Sequence, residues 1–405
     1  MNDVDDLRRR ALDVMPGGVS SNVRALEQDS PLFLNRAAGA YVWDESGRRY
    51  IDHVCGYGAI VLGFAPPGLN EAISAVLAAG IQHAGASRVE VEAAEALRDC
   101  VPSVQSCRFH GSATEALQSA FRIARYATGR PTIVKFERHY HGWVLPSDAQ
   151  IAASASANAP TDFAVLPWND RDEFHRYMER HGNEVAAVVT EPIMANQGCF
   201  MPDPGWLELL QSRTQDAGGL FVLDEVVTGF RVALGGVQEL LRLKPALSVF
   251  GKGMAGGAPM GVVGGRRDLM ELLAFGKVTH GGTFNGSGLA MAAVSWCIAE
   301  MRRRGPDFFN KLAATGQRLM QGLRDAARAA GVAVTVRGPG GVFWLSFDGD
   351  DATDVEPETY RRFRLAMRNE GIRVGTGGRW YVNAARTDAD IDVTVRAAGV
   401  AFRAA

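Results

Sequence analysis

The sequence predicts an α/β protein with one large, mostly parallel sheet and a second, smaller α+β domain. Three observations carry that prediction. At 405 residues the chain exceeds what a single hydrophobic core usually serves. From about residue 68 to 290, short apolar runs alternate with amphipathic helical stretches, the pattern of strands joined by helical crossovers. After 290 the order changes, and β-rich runs follow a long helical stretch. The expected division is an N-terminal segment 1–50 that joins the small domain, a large domain 51–289, and a C-terminal small domain 290–405.

Composition narrows the function classes. Hydrophobic residues at 47% and charged residues at 22% are globular proportions, which argues against a disordered or fibrous chain. A net charge of −2 provides no basic field for nucleic acid or an anionic membrane. The first six residues are acidic and lack a hydrophobic region, so no signal peptide is expected. No run approaches the roughly 18 apolar residues of a membrane span. The five cysteines, Cys55, Cys100, Cys107, Cys199 and Cys297, are odd in number and form no CxxC pair. That usage predicts a reduced, cytoplasmic protein without a zinc site.

Taken in order, residues 8–12 read as helical and 16–24 as a loop. Residues 39–52 alternate around Ser46-Gly47, as a β-hairpin does. Residues 114–127 form an amphipathic helix with Leu117, Phe121 and Ala124 on one face, ended by Gly129-Arg130-Pro131. Apolar runs at 132–136, 185–190, 219–223 and 247–251 predict strands buried on both faces. Leu312, Leu319 and Leu323 are in phase on a long helix ending at Gly331, and 332–336 with 342–346 predict antiparallel strands.

Two of those buried strands end in one conspicuous charge each, Asp224 and Lys252. Ligands of open α/β sheets sit outside the carboxyl ends of the strands. An acid and an amine delivered there suit a lysine Schiff base to an aldehyde cofactor whose ring nitrogen a carboxylate keeps protonated. That chemistry points to pyridoxal 5′-phosphate, although a structural salt bridge would also account for two such charges. Other strand ends carry polar groups too. Residues 108–116 run from a strand end into the helix, where free N–H groups beside Ser112 and Thr114 make either a phosphate seat or an ordinary N-cap. Residues 135–143 place Tyr140 after another strand, 191–196 place Glu191 and Asn196 after a third, and 280–286 form a glycine-rich loop with Thr283.

In order and spacing, the segments around Ser112, Tyr140, Glu191, Asp224, Lys252 and Thr283 resemble class III aminotransferases of the fold-type I pyridoxal-phosphate superfamily. Within that class, Pro16-Gly17-Gly18-Val19-Ser20-Ser21-Asn22-Val23-Arg24-Ala25 and Asp224-Glu225-Val226-Val227-Thr228-Gly229-Phe230-Arg231 are similar to glutamate-1-semialdehyde 2,1-aminomutase-like proteins. The resemblance covers almost the whole chain. It implies that Lys252 forms the Schiff base and carries the proton, and that Asp224 holds the pyridine nitrogen protonated. It implies that Tyr140 stacks on one ring face while Val226 presses on the other. Ser112, Ala113 and Thr114 would hold the phosphate, joined by Thr283 from the partner subunit of a homodimer with shared active sites. Asn196 would bond the ring hydroxyl and Glu191 would support that region. Arg24 matches the family's substrate-carboxylate arginine, a role suited to a bidentate guanidinium.

The sequence departs from the aminomutase pattern in two places. The segment from Trp143 to Pro160 is short and alanine-rich where the aminomutases carry a long glycine-containing lid. Residues 375–387 carry no acid where the aminomutases have one, and they end Ala385-Arg386-Thr387 in place of Ala-His-Thr. Both changes fall where retention of the intermediate and substrate choice would be set. The reading that follows is a transaminase on the aminomutase scaffold, acting on a small carboxylate-bearing amino compound. The aminomutase reaction is the alternative. Arg379 is either a second carboxylate contact or a surface loop arginine.

Overall fold

The computed structural model describes residues 3–27, 31–143, 162–274, 276–349 and 356–405. The shortened segment after Trp143 lies, from 144 to 161, outside the described residues. The chain forms two compact units, one of residues 1–57, 62–66 and 311–405, the other of residues 58–61 and 67–310. The helix Gly288–Arg304 thus lies within the larger unit, and the change of unit comes near 310, beyond the 290 expected from sequence.

The larger unit is built on a seven-stranded sheet. Its order is Ser106–His110, Gly261–Gly265, Leu247–Gly251, Leu220–Asp224, Val185–Thr190, Thr132–Phe136 and Phe163–Leu166. Gly261–Gly265 runs antiparallel to both neighbours, and every other adjacent pair is parallel. The reversal has a simple cause. Residues 252–260 are too few for the crossover that a parallel partner to Leu247–Gly251 would need. All residues of the strands at 132–136, 185–190, 220–224 and 247–251 are buried. Their apolar runs, without alternation, are what a sheet covered on both faces requires. The helix Ala113–Thr128 starts on an N-cap, Ser112, whose side chain accepts from the Glu115 N–H, and stops at left-handed Gly129. Its buried face, including Leu117, Phe121 and Ala124, joins Val222, Val249 and Val263 in one core.

A charged group, Glu225, lies within the buried interior of this unit. Asp224 and Glu225 are consecutive, and Glu225 enters a polar network away from the strand end. It accepts from the Gln238 N–H (2.9 Å) and the Thr228 hydroxyl, and the Gln238 amide donates to Ser248 at 3.2 Å. Burial, the largest influence, pushes the Glu225 carboxyl up to about 7, against the pull of its hydrogen-bond donors. The unfolded chain ionises this group near the ordinary glutamate value of roughly 4.3. Its contribution to stability is therefore full below that pH and is lost as pH rises through about 7. The span is worth on the order of 3 kcal/mol. Glu225→Gln retains an acceptor for Gln238 and lets Thr228 accept in turn. The variant should melt at higher temperature than wild type at pH 8, with the gap closing near pH 4. Parallel melting curves at both pH values would refute this account.

The smaller unit holds a sheet of Leu34–Ala38, Tyr41–Asp44, Arg49–Asp52 and Ile372–Arg373, and another of Val334–Arg337, Val342–Phe347 and Arg379–Tyr381. The hairpin expected at 39–52 is present as the antiparallel pair Tyr41–Asp44 and Arg49–Asp52. The C-terminal helix Asp388–Ala404 opens on a capping box formed by Thr387 and Asp390. Among the described residues, no helix is long and apolar enough to cross a membrane.

Candidate active site

Because six of the seven strands point one way, their carboxyl ends share one edge of the sheet, and the polar residues after them converge. A cavity of about 340 Å³ lies there, lined among others by Ser112, Thr114, Tyr140, Asn196, Asp224 and Lys252. Ala113 and Val226 line it as well. A volume of this order suits a small cofactor with a substrate.

Each wall has a local reason. Ser112, Ala113 and Thr114 open a helix of 16 residues, so unpaired backbone N–H groups and the positive end of the helix dipole meet at that wall. Two glycines allow the approach. A Cβ at Gly261 would sit 2.4 Å from the Ala113 nitrogen, and one at Gly142 would sit 2.8 Å from the Thr114 side chain. Lys252 follows the strand Leu247–Gly251 with φ of 42°, a left-handed conformation that costs a lysine on the order of 1 kcal/mol. Asp224 is buried at the neighbouring strand end. One of its oxygens lies 2.8 Å from His141 Nδ1, and the other accepts from the Val226 N–H at 3.1 Å.

The remaining expected residues divide. Glu191 is buried and is not part of the cavity wall. One carboxylate oxygen accepts from the Tyr140 N–H at 2.8 Å and the other from the Asn196 amide at 2.9 Å. Burial, then the charge of Asp224, push its carboxyl up to about 8. Thr283 also lies off its own chain's cavity wall, on an exposed loop where its carbonyl accepts from Gln82. The loop is fastened through Asn285, which accepts from the Gly111 N–H at 3.0 Å. Arg24 and Arg379 belong to the smaller unit. Arg24 is exposed in the short helix Asn22–Ala25, and Arg379 opens the strand Arg379–Tyr381. Burial chiefly, then the charge of Glu27, push the ionisation of the Tyr57 phenol to higher pH, with the charges of Arg373, Arg379 and Arg24 opposing them.

Sequence reasoning assigned no role to His141. The signal was present in His139-Tyr140-His141, where alternation leaves Tyr140 half-exposed and buries both histidines.

The family model described as Aminotransferase class-III matches residues 23–392. The chain belongs to the class III aminotransferases. A glutamate-1-semialdehyde 2,1-aminomutase of Laribacter hongkongensis is 38% identical over 98% of each chain. An omega-transaminase from Sphaerobacter thermophilus has a solved structure matching this one with a TM-score of 0.89 and 30% identity, over 100% of this chain and 98% of that one. The beta-phenylalanine aminotransferase from Variovorax paradoxus matches with a TM-score of 0.86 and 32% identity, over 98% and 96%. Class III aminotransferases use pyridoxal 5′-phosphate, and the cavity of this class III chain fits it. An anion seat at a helix start, a buried carboxylate and a lysine amine all face one space of suitable volume.

Proposed function

We propose that this class III enzyme is a transaminase, moving an amino group from a carboxylate-bearing amino compound to a keto or aldehyde acceptor. The observation that carries the choice is the segment 375–381. It is anchored by the Tyr360 hydroxyl, which donates to the Gly375 carbonyl at 3.1 Å, and Arg379 is its sole charged residue. A cation there favours binding a second carboxylate in turn, as a two-substrate exchange requires. The aminomutases' acid at this place is missing.

In this reading, bound pyridoxal phosphate supplies an electron sink conjugated to the substrate nitrogen. Lys252 would be the attachment amine and would move the proton at the substrate Cα. Asp224 would keep the ring nitrogen protonated, and Tyr140 and Val226 would hold the ring. Asn196 bonds the ring hydroxyl. The backbone and hydroxyls of Ser112, Ala113 and Thr114 take the phosphate. Thr283 reaches the phosphate of a partner subunit in a homodimer. Its place off its own cavity wall supports that role. Arg24 takes the substrate carboxylate and Arg379 assists it. The enzyme works in the cytoplasm, as its cysteine usage suggests.

The alternative is glutamate-1-semialdehyde 2,1-aminomutase activity, favoured by the 38% identity to a protein of that name. One pair of assays separates them. Amino donors with a keto-acid acceptor should give acceptor-dependent turnover. Conversion of glutamate 1-semialdehyde alone to 5-aminolevulinate would overturn the transaminase reading.

A further inference from the structure

The strand Thr132–Phe136 is followed by Glu137-Arg138-His139-Tyr140-His141-Gly142. Tyr140, 52% exposed, is the member of this turn whose ring is open to the cavity, while His139 and His141 are buried. Asn196 reaches the same cavity from the segment after Val185–Thr190. The Glu191 side chain joins these two elements behind the cavity. Glu191 accepts from the Tyr140 N–H with one oxygen and from the Asn196 amide with the other, at 2.8 and 2.9 Å. Its own N–H donates to His139 Nδ1 at 3.0 Å, so the turn is held from two sides.

A carboxylate in this place is otherwise unfavourable. It is buried, and the neighbouring Asp224 adds a like charge, with the two donors and Lys252 only partly opposing them. A neutral side chain would avoid that penalty. A glutamate carboxyl offers two acceptor oxygens where a glutamine offers one, and here both meet a donor.

We propose that Glu191 is a positioning residue, which sets the ring-stacking Tyr140 and the polar Asn196 in fixed register without touching cofactor or substrate. The inference rests on the cavity being the pyridoxal-phosphate seat. Glu191→Gln removes one acceptor. The Tyr140 N–H takes the remaining carbonyl, and the new amide nitrogen then faces the Asn196 nitrogen, donor to donor. Asn196 must turn, changing the atom it offers the cavity. Glu191→Asp keeps the charge and is too short to hold both donors.

The test is cofactor affinity of the apo-protein and the absorption band of bound pyridoxal phosphate across pH, for wild type, E191Q and E191D. Both variants should bind about tenfold more weakly and show a shifted band or a shifted pH midpoint of that band. An E191D protein that matches wild type would show that the charge matters and the register does not, which overturns the proposal. An E191Q protein that matches wild type overturns it too. Melting temperatures of the apo-proteins identify a variant that has not folded, and the other then carries the test. Failure of wild type itself to take up the cofactor would instead sink the reading on which the inference rests.

Discussion

Lys252→Ala should lose the borohydride-reducible cofactor adduct and fall in turnover by about 10⁴-fold or more. The size follows from two roles meeting in one amine, covalent attachment and proton transfer, with no other lysine on the cavity wall among the described residues. The substitution leaves the rest of the seat intact. Ser112, Ala113 and Thr114 still open their helix, and Asp224 keeps its contacts with His141 and Val226. The variant should therefore still bind pyridoxal phosphate without a covalent link and surrender it on dialysis. Intact-protein mass after borohydride treatment gives the answer. A mass increase in the variant equal to that of wild type would remove Lys252 from the chemistry.

The strand ends were legible in the sequence because a strand buried on both faces must be apolar throughout. A charge that closes such a run, as Asp224 does and as Lys252 does one residue on, stands out against it. The N-cap at Ser112 and the helix behind it were legible for a similar reason, a cap followed by one apolar face. The reversed strand Gly261–Gly265 was not. Its residues are as apolar as those of a parallel strand, and direction is decided by the length of the connection before it. Glu191 shows a different limit. Spacing placed it at the cavity, yet the end of a strand can send a side chain toward the ligand or behind the wall, and pattern alone does not separate the two. Asp224 and Glu225 make the same point side by side, one facing the cavity and the other the Thr228 and Gln238 network. The family resemblance supplied Arg24 where spacing could not.

Asp224→Asn should lower kcat by roughly 10³-fold while leaving KM within a few-fold of wild type. In the native site each oxygen of Asp224 meets a donor, His141 Nδ1 at 2.8 Å and the Val226 N–H at 3.1 Å. With the carboxylate ionised, the hydrogen on His141 lies on Nδ1. His141 Nε2 is buried and has no hydrogen-bond partner among the described residues. An ionised Asp224 supplies the negative charge that a protonated ring nitrogen needs as its counterpart. Asparagine removes that charge and adds a second fault. Its amide nitrogen faces either the Val226 N–H or His141, and relieving the clash at His141 moves the ring hydrogen to the unpartnered Nε2. The volume hardly changes, so binding through the helix start and the substrate carboxylate should persist. Single-turnover kinetics with an amino donor, read from the cofactor absorbance, separate the two parameters. A kcat within tenfold of wild type would mean that the ring nitrogen does not depend on Asp224.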